Sequence, residues 1–351
     1  MAEPLILVLN MGSTSSKIAV FRGRDPLFQE DVSFLESLAL PEQLPLRREQ
    51  VTRLLAEKQI DLQELDLIVS RGGLMKPLPA GIYGINEAMC QDLLSGKYGA
   101  HPSGLGPVIA SDLAAAQGIS AIVLDAPSTD EFQELARFSG HPALERKSGL
   151  HALSQKAAAR QVAELMGLEV EKGRFVVAHL GGGITVGAHL KGRVVDCTHG
   201  LHEGPFTPER AGALPTLPLV ELALSGIEKD RLQQQLVGAG GVAAYLGTKD
   251  VREVERRVQA GDRQAEAVLA ALVYQVAKEI GAMATVLQGQ VDAIVLTGGL
   301  SRSGLLVGWL RERVSFIAPV QVVPENEMLA LAEGGLRALS GKEEVKTYEE
   351  A

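Results

Sequence analysis

A pattern that occurs twice, half a chain apart, constrains this sequence more than any other feature in it. VLNMGSTS near the N-terminus lies over VAHLGGGI in the middle, so that Asn10 falls on His179 and Gly12 on Gly181, an offset of 169 residues in a chain of 351. Each copy is an apolar run of strand length, a polar residue, a turn of small residues and a second apolar run. LILVLN and KIAVF flank the first turn, FVVAHL and VGAHL the second. A unit of this kind repeated at half-length predicts two related α/β domains. Further strands are predicted at 65–69, 120–124, 192–198 and 293–297, with helices over 49–58, 155–166, 262–288 and 327–339. The boundary is expected near residue 150, giving domains 1–150 and 151–351. The last helix is expected to pack back on the first domain, and the acidic tail KEEVKTYEEA to be frayed or solvated.

Lysine and arginine number 34 and aspartate and glutamate 43, a net charge of −9, which disfavours a nucleic-acid surface and makes any anion site local. Cys90 and Cys197, with no CxxC and no histidine ladder, argue against a disulfide scaffold or structural zinc, and a reducing cytoplasm is the default. The N-terminal apolar run is far shorter than a membrane span of about 20 residues, so no membrane is expected. No Walker sequence occurs, because Tyr98 and Glu343 follow the two GK pairs. GAGGVA (238–243) fits a dinucleotide fingerprint but follows a helical pattern, DRLQQQLV, rather than a strand. Three turns at strand ends remain as anion sites. NMGSTSSK offers hydroxyls, amides and Lys17, though it reads equally as an ordinary hairpin; HLGGGIT exposes backbone amides; LTGGLSRS opens a helix.

In this order and spacing the turns resemble the two-domain nucleotide-binding fold of acetate kinases, sugar kinases, actin and the heat-shock chaperone ATPases. More closely, RGGLMKP, YGAHPSGLG, LDAPSTDEF, RKSGLHALSQKAAAR, GPFTPERAGALP, YLGTKDVREVE, EIGAMATVLQGQVDAIVLTGG and PENEMLAL together look like the butyrate kinases, over nearly the whole chain. The resemblance implies an α/β architecture of two actin-like (ribonuclease H-like) ATPase domains with a nucleotide cleft between them. It implies reversible phosphorylation of butyrate, or of another short or branched-chain carboxylate, with ATP/ADP and Mg²⁺ as cofactors, a carboxylate and its acyl phosphate as partners, and a homo-oligomer, dimer or higher. Residue by residue, Asn10, Asp125 and Glu327 match the metal-side positions, and Lys17, His179, Gly181, Gly182 and Gly183 the phosphate-side ones. His151 matches a histidine near the transferring phosphoryl group and Arg210 an arginine that clamps it. Asp250, Val251, Arg252, Gly298, Gly299 and Arg302 fall on the adenosine side. Asp125 and Glu327 also read as helix caps, His151 as a helix-start residue and His179 as a strand-end histidine. Two departures stand out: Gly182 replaces an amide side chain of the acetate kinases, and Arg71 is the second clamp by proximity rather than register. His101 matches an acyl-side histidine or supports its loop.

The chemistry fits these residue types. A carboxylate attacking the γ-phosphate brings two anions together, so the site must supply positive charge and aligned donors. A carboxylic acid of pKa about 4 to 5 is already ionised at pH 7 and needs no general base. An alcohol or sugar kinase of this fold would use Asp125 as base, and a nucleotide-driven switch would use the same turns to move domains. Arg71, Arg210 and His151 suit an anionic acceptor, and 351 residues leave little room for a switch's extensions. If each domain carries one phosphate turn, ATP must bridge them and the cleft should close on binding, excluding water.

Overall fold

Seven consecutive residues, Leu5–Met11 (β1), are all buried, the mark of a strand covered on both faces rather than one. The computed structural model describes residues 3–34 and 38–349. β1 pairs antiparallel with Ser15–Arg22 (β2), which pairs with Asp25–Ser33 (β3) through a bulge at Val20/Phe21. β3 alternates exposed and half-buried residues and ends the sheet with charge, as edge strands do. Leu67–Ser70 (β4) runs parallel to β1, Ser120–Leu124 (β6) runs parallel to β4, and Ile82–Gly84 (β5) is antiparallel to β6. The odd residues of β1 pack with Val51 and Leu55 of the helix Leu40–Glu57 and Ile109 of the helix Leu105–Gln117. Its other face meets the helix Glu327–Leu339, where a Cβ on Gly335 would come within 2.9 Å of Val69 and 3.1 Å of Ile6.

The second half repeats this arrangement. Arg174–Leu180 (β7), Ile184–Leu190 (β8) and Arg193–Cys197 (β9) form an antiparallel meander; Ala293–Thr297 (β10) is parallel to β7, and Val320–Val322 (β11) is parallel to β10. The order β11-β10-β7-β8-β9 reproduces β6-β4-β1-β2-β3 strand for strand, the duplication expected from the half-length repeat. The helix Arg263–Val286 is long and apolar enough to cross a membrane by length and composition. It buries Leu269, Leu272, Val276 and Ile280 in this sheet's core, so its composition serves packing.

The chain forms two units, Met1–Thr129 with Asn326–Ala351, and Asp130–Glu325. Residues 130–149, placed before the expected boundary, belong to the second unit, where Phe132, Ala136 and Leu150 pack on Val194 and Cys197. The helix Glu327–Leu339 lies on β1, β4 and β6 of the first unit. The tail differs from its expected solvation: Val345–Thr347 (β12) pairs parallel with β5, and Tyr348 is 2% exposed with its hydroxyl donating to Asp92 at 2.7 Å. One buried aromatic and an open sheet edge outweigh the acidic composition; the tail's last two residues lie outside those described.

Candidate active site

Ligands of parallel α/β sheets bind at the carboxyl ends of the strands, and in the first unit Asn10, Arg71 and Asp125 stand at the ends of β1, β4 and β6. Asn10 points to the even face of β1, so its Nδ2 reaches the first residue of the Glu327–Leu339 helix, donating to Glu327 Oε2 at 3.0 Å across 317 positions. Arg71 extends the β4 ladder through its N–H to Leu9 O at 3.1 Å, and its Nη2 lies 3.7 Å from Glu327 Oε1. Amide, carboxylate and guanidinium therefore form one cluster. Lys17 stands opposite Asn10 in register and is exposed. Asp125 holds its own backbone turn. At φ 41° its Oδ1 accepts from Gly81 N–H at 2.9 Å while its own N–H donates to Gly81 O at 3.1 Å. Among the described residues, no group of three or more His, Cys, Asp or Glu side chains is placed to hold a metal ion.

The turn between β1 and β2 closes on itself, Gly12 N–H donating to Ser15 O at 2.8 Å. That amide is spent within the turn, which reduces the number expected to face a phosphate. Beneath it lies a residue the sequence did not single out. Arg47 is fully buried; Nη2 donates to Gly12 O at 3.0 Å, Nη1 to Ser16 Oγ at 3.0 Å and Ser15 O at 3.3 Å, and Nε to Gln43 Oε1 at 3.1 Å. Its guanidinium carbon sits 4.2 Å over the Phe34 ring. No carboxylate is among these partners, and burial lowers its pKa. His101 accepts from Ser103 N–H at its Nδ1, so in the neutral ring Nε2 carries the proton toward Ser13 Oγ of the same turn, 3.3 Å away. Burial, then the charges of Arg71 and Arg47, lower the His101 pKa and keep the ring neutral.

In the second unit, His179 ends β7 with Nδ1 at 2.9 Å from Ser154 Oγ and 3.3 Å from Glu325 Oε1, the latter an electrostatic contact out of hydrogen-bond alignment. His151 stacks on it, ring centroids 3.8 Å apart and planes 15° apart. The triple-glycine turn is closed by Gly181 N–H donating to Gly183 O at 3.1 Å, and is tied to the next loop by Thr207 Oγ1 donating to Gly182 O at 2.6 Å. That loop presents Arg210, whose Nη1 donates to Gly200 O at 2.7 Å and whose buried Nε has no partner. A Cβ on Gly183 would stand 2.4 Å from Arg210 Nη1, so only glycine lets the guanidinium lie against the turn. Burial lowers the Arg210 pKa, with Glu209 opposing; an arginine nevertheless stays charged at neutral pH. GAGGVA finds its use here: Gly238 and Gly240 N–H donate to Glu209 O at 2.7 and 3.2 Å, and a Cβ on Gly241 would fall 1.8 Å from Thr207 O. These glycines hold the Arg210 loop from behind.

Two further glycines of the expected site allow close approaches of the same kind. Glu209 Oε1 lies 3.3 Å from where a Gly182 Cβ would be and pairs with Lys249 at 2.8 Å, so side chains fill the space this glycine vacates. Gly298, at φ 87°, is pressed against the end of β7, where a Cβ would meet Leu180 O at 2.4 Å.

The family model described as the acetokinase family matches residues 140–325. Butyrate kinase 2 of Clostridium acetobutylicum is 44% identical over 351 residues, covering 98% of this chain and 99% of the relative. The chain belongs to the acetokinase family. Among solved structures this acetokinase is similar to the acetate kinase of Porphyromonas gingivalis, with a TM-score of 0.79 at 19% identity over 96% of this chain and 100% of that one. It is also similar to a propionate kinase from Francisella tularensis subsp. tularensis, with a TM-score of 0.73 at 18% identity over 94% and 98% of the two chains. At such identities the likeness speaks for the fold, which is the expected actin-like one.

The remaining predicted residues of this acetokinase cap a helix or build a short turn. Asp250, half-buried, caps the helix Val251–Gln259 through Arg252 N–H at 3.0 Å and pairs with the exposed Arg252 side chain at 3.0 Å, while Val251 is buried. Gly299 opens a short 3-10 turn that ends at Arg302, which is exposed. Besides Arg47, pattern reading missed Thr207, Ser154, Gln155 and Thr185, the hydroxyls and amide that hold the histidines and glycines in place. The available signal was weak: GPFTPERAG places a Thr three residues before the arginine, the spacing at which its hydroxyl accepts from Arg210 N–H at 3.0 Å.

Proposed function

We propose that this carboxylate kinase acts on butyrate, moving the γ-phosphoryl group of ATP reversibly to give butyryl phosphate and ADP. The observation that carries the reading is the 44% identity to a butyrate kinase along 98% of the chain. Arg210, desolvated against Gly183 and with no counter-ion among the described residues, is suited to an anionic group, and so is Arg71 beside Glu327. His151 would donate to the transferring phosphoryl group, with His179 and the glycine turn around the phosphates. The adenosine-side roles of Asp250, Val251, Arg252, Gly298, Gly299 and Arg302 belong to the same reading. Burying two further methylenes should separate butyrate from acetate by about 1.6 kcal/mol, roughly fifteenfold. Trapping acyl phosphates as hydroxamates across a panel of acids, with sugars assayed in parallel, should show that preference. Sugar phosphorylation, or ATP hydrolysis indifferent to any acid, would overturn it.

Asn10 and Glu327 offer the donor set Mg²⁺ prefers, a carboxylate and an amide oxygen, with the Asn10 amide nitrogen already given to Glu327. An octahedral ion that keeps several waters and takes phosphate oxygens needs no more protein ligands than these. When bound it would offset phosphate charge. Asp125, committed to Gly81, would act on its waters at most. Excess chelator should abolish turnover and added Mg²⁺ restore it; full turnover in chelator would remove the ion from the reaction.

A homo-oligomer is supported by the helix Thr216–Leu224, which buries no residue and exposes Leu217 at 76% and Leu224 at 81%. The long helix Arg263–Val286, the other apolar segment of this unit, is core instead. Two free thiols, Cys90 and Cys197, support a cytoplasmic location, and the net charge of −9 is in keeping with small-molecule partners.

A further inference from the structure

His151 stands at the N-cap of the helix Ala152–Leu165 yet uses no ring atom to cap it. Its Nδ1 instead lies 2.9 Å from Thr185 Oγ1 on β8, directly opposite His179 in the strand register. Behind Thr185 is Gln155, wholly buried, one turn further along the same helix. The orientation of this amide is fixed by a group that can only accept: its Nε2 donates to Thr185 O at 3.2 Å, and to Thr185 Oγ1 at 2.8 Å. Gln155 Oε1 therefore faces His189 Nε2 at 3.0 Å, and as a pure acceptor it requires the proton on that nitrogen. His189 is fully buried, and burial, then Lys156 and Arg160, push its pKa down to about 3, so the ring stays neutral. The Thr185 hydroxyl already accepts from Gln155 and has one proton to give. His151 Nδ1, 2.9 Å away, is placed to receive it.

We propose that this buried chain, from His189 through Gln155 and Thr185, sets the tautomer of His151 with its proton on Nε2, making Gln155 and Thr185 positioning residues for phosphoryl transfer. The ring's sign depends on it. With the proton on Nε2 a neutral imidazole offers a donor there; with the proton on Nδ1 the same atom offers a lone pair, which repels a phosphoryl oxygen. Stacking on His179, with ring centroids 3.8 Å and planes 15° apart, holds the ring plane in which that nitrogen points. The proposal rests on the reading of His151 as a donor to that group, and its test separates the two.

Long-range proton–nitrogen correlation spectra of protein labelled with ¹⁵N-histidine report each ring's tautomer directly, without substrate. A His151→Gln sample assigns the signal. At about pH 8, His151 is expected with a protonated Nε2 and an unprotonated Nδ1. Thr185→Val should turn it to a mixture or to the other tautomer and lower kcat on the order of tenfold to a hundredfold, with the KM for ATP held within about twofold. Thr185→Ser, which keeps the hydroxyl, should restore both. A wild-type ring protonated on Nδ1 would overturn the proposal, and so would Thr185→Val with altered tautomer but unchanged kcat. If the wild-type protein phosphorylates no carboxylate, the functional reading fails while the tautomer remains measurable.

Discussion

Arg210→Ala should lower turnover on the order of 10²–10³-fold, about 2.7–4 kcal/mol of transition-state stabilisation, with the fold intact. The size follows from what surrounds the guanidinium. Its Nε is buried without a partner, its Nη1 donates to Gly200 O, and among the described residues no carboxylate pairs with it. A desolvated cation held in that state is a cost to the free protein, and it is offset only when an anion arrives. Truncation should therefore leave the melting temperature unchanged or raise it while removing activity, the opposite signs expected of a residue kept for function. Arg210→Lys keeps the charge but not the planar fork, and should recover part of the rate. Steady-state kinetics and thermal melts on the same preparations check both signs. A loss below tenfold, with the fold intact, would move Arg210 out of the site.

Arg47→Met should do the reverse and act first on stability. This guanidinium is buried more deeply than the half-buried Arg210, but its donors are engaged: Gly12 O, Ser15 O, Ser16 Oγ and Gln43 Oε1 accept from it. Methionine fills similar volume and takes the donor from Gly12 O, Ser16 Oγ and Gln43 Oε1, while Ser15 O keeps the Gly12 N–H; each acceptor left unsatisfied costs about 1–3 kcal/mol where water cannot reach it. The terms share one loop and do not add in full, so a loss on the order of 3–5 kcal/mol is expected, with local opening of the β1–β2 turn. Amide exchange at Gly12 to Ser16 should speed up ahead of the rest of β1, and nucleotide affinity should fall with it. Arg47→Lys should rescue little, since a single ammonium cannot reach the same acceptors at once. A melt and exchange pattern like the wild type's would show that Arg47 does not hold the turn.

The contrast between these arginines marks where sequence reading stops. The alternation of apolar runs with small-residue turns is local, so LILVLN, FVVAHL, AIVLT and the last helix could be read from neighbours alone. The offset between the two copies points to two related α/β halves, and the structure adds the repeated strand order. Arg47, by contrast, sits in LPLRREQVTRLL beside two other arginines, and nothing local says which of the three is inside. Its burial is decided when the helix docks on β1 and β2 and one face meets the turn. Gln155 and Thr185 are single polar residues 30 positions apart, and Asn10 and Glu327 are 317 apart. Residues 342–349 read as solvated charge until Tyr348 finds the pocket beside β5. Chain periodicity therefore determined the strands, the repeat and the glycine turns, because those follow from the backbone's own pairing and burial. The choice of which polar side chains lie inside, and which ring nitrogen carries a proton, was left to tertiary structure, because a buried polar group is set by the partner that reaches it through space.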